Sequence, residues 1–135
     1  MPTKSDELEF FVDRSLGKSI VAGLRAAGLR VRSMADAYGE EAAQLLADEV
    51  WLRDAGENDW VVLTKDDAIR RRPAERDALT EAEVRVFCLT NRNMRAAAQT
   101  ERFVANRHRI VRQARKPGPY IYGVYEAGLR RLWPR

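Results

Sequence analysis

Sulfur and imidazole are scarce in this chain. Its 135 residues include one cysteine, Cys88, and one histidine, His108. A lone cysteine forms no internal disulfide, which points to a reducing cytoplasm as the natural compartment. Cys88 lies inside "VRVFCLT" and reads as a small buried apolar residue. Long hydrophobic runs are also missing. The apolar stretches last only a few residues, far short of the roughly 20 that cross a bilayer. No charged, apolar and small-residue series marks a signal peptide at the start, so residues 1–7 read as a loose tail. Internal repeats, low-complexity tracts and linkers are lacking as well.

What is present suits a packed domain. Apolar residues make up 45% and charged residues 33%, a globular balance. The length favours one domain over residues 1–135, large enough for a proper core without staples. The net charge of +4 comes mostly from arginine, whose fork suits phosphate. That permits a nucleic-acid partner without requiring one.

Five segments read as strands from their β-branched and aromatic content: 8–12, 29–34, 60–63, 84–89 and 120–125. The first, third and fourth are nearly continuous apolar runs, as in strands covered on both faces. Helical periods lie between them at 15–27, 40–55 (one or two helices), 73–82 and 95–115, with Gly28 and Pro73 as stop and start signals. The alternation predicts an α/β fold with a mostly parallel sheet and helices on both faces. In such sheets ligands bind beyond the carboxyl ends of the strands.

Aspartates stand at those ends. Asp13 follows the first strand, Asp66 lies just past the third, and Asp48 stands near a helix start in "ADEVWLRDAG". Each alone is a good helix cap or turn residue. Gathered at one edge, they would repel one another unless a cation neutralised them. Magnesium and manganese prefer such oxygen ligands, and a bound ion can activate a water toward phosphorus without histidine or cysteine.

The order "FFVDRSLG", "ADEVWLRDAGENDWVVLTKDDAIRRRPAER", "VRVFCLTNRNM" resembles the PIN-like nuclease domains, most closely the VapC-type toxins of bacterial toxin–antitoxin pairs. The resemblance spans about residues 8–125. It implies a three-layer α/β/α domain with about five strands that cleaves single-stranded RNA with Mg2+ or Mn2+. The family's metal-binding and catalytic acids fall on Asp13, Asp48 and Asp66, with Glu49 and Asp67 as neighbouring alternatives. Where many relatives carry a fourth acid, this chain offers Asn91 and Asn93. Asparagine brings no charge. A non-catalytic RNA- or protein-binding module therefore stands beside the ribonuclease as an alternative, as does a DNA nuclease of the same fold. The resemblance also implies an antitoxin partner and a possible homodimer.

Lys65, Arg70, Arg71 and Arg72 adjoin the third-strand acid and suit phosphate contacts, or a solvated helix start. Arg107, Arg109, Arg112, Arg115 and Lys116 read as a polar helix face with cations near its C-terminal end. Trp51 and Trp60 read as core, Tyr120 and Tyr122 as neighbours on one strand face, and Trp133 as a core lid or a docking residue.

Overall fold

The computed structural model describes residues 8–91 and 93–135. The expected tail at 1–7 lies outside the described residues. Six strands form one sheet: β1 (Phe10–Val12), β2 (Val31–Ser33), β3 (Val61–Thr64), β4 (Arg85–Cys88), β5 (Tyr120–Tyr125) and β6 (Gly128–Trp133). Their order is β2-β1-β3-β4-β5-β6. The first five run parallel and β6 returns antiparallel to β5. The sheet thus has one strand more than the five expected. "GLRRLW" contains two exposed arginines, and its polarity masks an edge strand that buries only Leu132 fully.

Alternation along β1, β3 and β4 builds two cores. Phe10, Val12, Val61, Leu63 and Phe87 face one layer with Tyr120, where α1 (Lys18–Ala26), α6 (Ala96–Ala105) and α7 (Arg107–Ala114) pack. Tyr122 joins that face, as its spacing from Tyr120 predicts. Phe11, Val62, Val86 and Cys88 face the other layer. There lie α2 (Met34–Tyr38), α3 (Glu40–Leu45), α4 (Asp48–Glu57) and α5 (Pro73–Glu81), with a 3-10 turn at Asp67–Arg71. Trp51 is fully buried and Trp60 stacks on Phe11 at 5.1 Å, so both serve the core.

Two helix boundaries differ from the periodic reading, and a third settles it. Helix α2 grows from the end of a strand segment because Ser33 caps it reciprocally. Ser33 Oγ accepts from the Asp36 N–H at 3.1 Å, and Asp36 Oδ2 accepts from the Ser33 N–H at 2.9 Å. Of the one or two helices expected over 40–55 the structure has two, parted at Leu46 and Ala47, both extended, so Asp48 opens the second. The 95–115 helix breaks at Asn106, whose amide donates to the carbonyls of Arg102 (2.9 Å) and Tyr125 (3.0 Å). That side chain ties the break to the end of β5.

Helices α4 and α5 touch at Gly56, where an added Cβ would lie 2.3 Å from the Ala82 carbonyl oxygen. A backbone atom cannot step aside as a flexible side chain can. Gly56→Ala is expected to cost about 2 kcal/mol of stability through overpacking. Urea unfolding measures it; an unchanged midpoint would mean the helices do not approach this closely.

Candidate metal centre

The parallel strands deliver their carboxyl ends to one edge, and the acidic residues gather there. Asp13 directly follows β1 and is buried. Its Oδ1 accepts from the Ser15 N–H (3.2 Å) and Ser15 Oγ (2.5 Å), and its Oδ2 accepts from Thr64 Oγ1 at 2.9 Å. Thr64 is the last residue of β3, so this bond locks the two strand ends together. Burial pushes the Asp13 carboxyl up to about 6; the Ser15 and Thr64 bonds pull it down, and the nearby Asp48 charge raises it further.

Asp66 lies two residues past β3. Its Oδ1 accepts from the Ala68 N–H at 3.1 Å, so it caps the 3-10 turn while Oδ2 remains turned to its neighbours. The cap and the clustered acid are one residue here. Asp48 begins α4 and is oriented from the core: its Oδ1 accepts from Trp51 Nε1 at 2.8 Å and from Arg14 at 3.1 Å. Arg14 is itself fixed by the carbonyls of Ala43 (3.2 Å) and Leu46.

A fourth carboxylate, Glu75, was not among the acids expected from the sequence. It sits in the first turn of α5, whose start Pro73 fixes, with its side chain only 8% exposed. One oxygen each from Asp48, Asp66 and Glu75 lie within 4.8 Å of one another. Burial and the adjacent Asp48 push the Glu75 carboxyl up to about 7, while Arg72 pulls it down. Asp13 stands beside this trio and acts on it through Asp48. Asp67 and Glu49 are outside the trio.

Arg72 occupies the middle. Its Nη1 lies 2.8 Å from Asp66, 3.0 Å from Glu75 and 3.6 Å from Asp48. The other residues expected to meet RNA are spread more widely. The Lys65 backbone N–H donates to Ser15 Oγ at 3.0 Å, which ties the chain just past β3 to the Asp13 loop. Arg70 and Arg71 line a groove of about 370 Å³ with Leu132, Trp133 and Arg135, and no carboxylate side chain lines it. Asn91 turns its Oδ1 back to the Asn93 N–H at 3.0 Å, forming a loop turn.

The matching family model, described as a PIN like domain, covers residues 8–91. The chain belongs to the PIN-like domain family. This PIN-like chain is 38% identical over 123 residues to a Mycobacterium tuberculosis (strain ATCC 25618 / H37Rv) protein named "Putative ribonuclease VapC45", across 90% of this chain and 89% of that one. No solved structure matches it. The matched segment of the PIN-like domain contains Asp13, Asp48, Asp66 and Glu75. Glu75 has one signal in the sequence. An acid three residues after Arg72, in the first turn of a proline-started helix, faces back toward whatever precedes that helix.

Proposed function

We propose that this PIN-like domain is a metal-dependent endoribonuclease, the toxin of a toxin–antitoxin pair. The observation that carries the reading is the convergence of Asp48, Asp66 and Glu75, three carboxylates from separate elements, within 4.8 Å at the sheet's carboxyl edge. An all-oxygen anionic set fits Mg2+ or Mn2+, and a guanidinium already seated among these oxygens shows that the position favours a cation. When bound, the ion supplies Lewis acidity, acidifying a water and neutralising charge that develops on phosphorus.

The protein's own groups do the rest. Asp48, Asp66 and Glu75 supply ligand oxygens close enough to share one ion. Asp13, the family's first acid, adds a buried charge behind Asp48 and joins the metal-binding and catalytic set. Asp13 also fixes the register of the site by holding Ser15 and Thr64. Lys65, Arg70, Arg71 and Arg72 form the basic approach that draws the RNA backbone inward. A cleft of about 510 Å³ opens beside Asp13 between α1 and α2–α3, lined by Arg14, Lys18 and Arg25 together with Asp36 and Glu40. Of the acids assigned to the site, it reaches Asp13 and not the trio, and it offers the substrate strand room on that side.

The VapC likeness supports a cognate antitoxin that covers the acids. Leu45, 82% exposed, and Val50 flank Asp48 along the chain and give such a partner apolar anchors. No described helix is long and apolar enough to cross a membrane, and an RNA-cutting toxin implies work in the cytoplasm. A homodimer of single-domain chains is the assembly the reading implies. The test is cleavage of single-stranded RNA by wild-type and Asp13→Asn proteins in clean preparations. The variant is expected to lose both cleavage and growth inhibition; persistence of both overturns the assignment.

A further inference from the structure

Arg72 is placed by its backbone. It precedes Pro73, and a residue before proline avoids the helical region. At φ −95° and ψ 117° it is extended, set between the 3-10 turn and α5. That turn aims the side chain back over the acids instead of outward along α5. A single nitrogen, Nη1, then meets all three carboxylates at 2.8, 3.0 and 3.6 Å. These are the same three residues whose oxygens lie close enough to share an ion.

Two cations cannot hold that point together. Magnesium approaches its oxygen ligands at about 2.0–2.1 Å and demands regular geometry. A guanidinium nitrogen in hydrogen-bond contact with the same oxygens blocks the position sterically and repels the ion by charge. Arg72 can leave, because its side chain is 47% exposed, whereas Glu75 beneath it is nearly covered. We propose that Arg72 is a tethered counter-ion that keeps the acidic trio closed, sets the divalent-ion affinity by having to be displaced, and on release turns to the RNA phosphate. The inference rests on the metal-nuclease reading above.

The consequence is a competition. Where a closed form is favoured about tenfold, the apparent dissociation constant for the ion is weakened about tenfold. Manganese titration by calorimetry, on chelator-treated wild-type, Arg72→Ala and Arg72→Lys proteins, measures it. Arg72→Ala is expected to bind Mn2+ about tenfold more tightly than wild type. Arg72→Lys falls between, since a lysine on a flexible stem lacks the planar fork. Thermal unfolding gives a second readout. Metal-free Arg72→Ala melts below wild type, and the gap closes in saturating Mn2+, because the ion replaces the lost charge.

Unchanged or weaker Mn2+ binding by folded Arg72→Ala overturns the proposal while leaving the nuclease reading in place. Absence of Mn2+ binding by every protein, at millimolar ion, overturns the metal reading and this inference with it. Asp66→Asn, which should abolish binding with or without Arg72, confirms that the titrated ion is the one at the trio. If Arg72→Ala does not fold, Arg72→Gln is read by the same criteria.

Discussion

Glu75→Gln lowers RNA cleavage by about 10²–10³-fold, and Asp66→Asn lowers it at least as much. Both changes keep the shape of the side chain and remove a negative charge. Removing an outer partner of a metal ligand already costs about 10–100-fold, and loss of a ligand costs more. Groups that act as a unit fail together, so the double variant should be no worse than the more damaging single one by more than a small factor. The expectation for Glu75 is the sharper of the two, since its carboxylate has a rival explanation. It could serve only to hold Arg72 at 3.0 Å. In that case Glu75→Gln would free Arg72 and leave catalysis near the wild-type rate. Single-turnover cleavage of a labelled single-stranded RNA at saturating Mn2+ separates the two. Asp67→Asn is the control, one residue from Asp66 and outside the trio, and should stay within about threefold of wild type.

Asp13→Asn stabilises the metal-free protein at neutral pH by up to about 3 kcal/mol, although it disables the enzyme. Asp13 is buried, and its carboxyl ionises near 6 in the fold against 3.8 for an ordinary aspartate. A group whose folded value is raised binds its proton more tightly in the native state. Its stabilising contribution is therefore complete below about pH 4 and is lost as pH rises toward 6. The difference of about two pH units corresponds to about 3 kcal/mol. Asparagine never ionises, so the variant escapes that loss. Its Oδ1 can still accept from Ser15, and its amide can donate to Thr64, whose hydroxyl rotates to suit. Urea unfolding of both proteins from pH 4 to 7.5 tests this. The gap should open between about pH 4 and 6 and then stay constant, and a gap that does not change with pH contradicts the burial of an ionised Asp13. Stability given up at a carboxylate of the proposed centre fits the usual exchange between function and fold.

Much of this arrangement could be read from the chain because the signals were local. The runs "FFV", "VVL" and "VFC" exclude any exposed face, so β1, β3 and β4 had to lie inside a parallel sheet. Strand-end aspartates then followed from topology, and Asp48 from the helix start that carries it. The rest depended on contacts between distant segments. Strand β6 was hidden because Arg130 and Arg131 interrupt it, and only pairing with β5 makes it a strand. The helix break at Asn106 requires the Tyr125 carbonyl, a partner 19 residues away. Glu75 stands out little in the sequence, because an acid in a first helical turn already has a reason to be there, the helix dipole. Its burial against Asp48 and Asp66 is a property of how α5 packs beside α4 and appears in no short motif.

The sheet order has a consequence for synthesis. Strand β3 is inserted between β1 and β4, neither of which pairs with the other. A nascent chain that ends before Val61 can bring Asp13 and Asp48 together through Arg14 and the Phe11–Trp51 contact, but it lacks Asp66 and Glu75. One that ends before Glu75 has no floor for the trio. The proposed metal centre is therefore complete only once Asp66 and Glu75 have been made and β3 has wedged between β1 and β4.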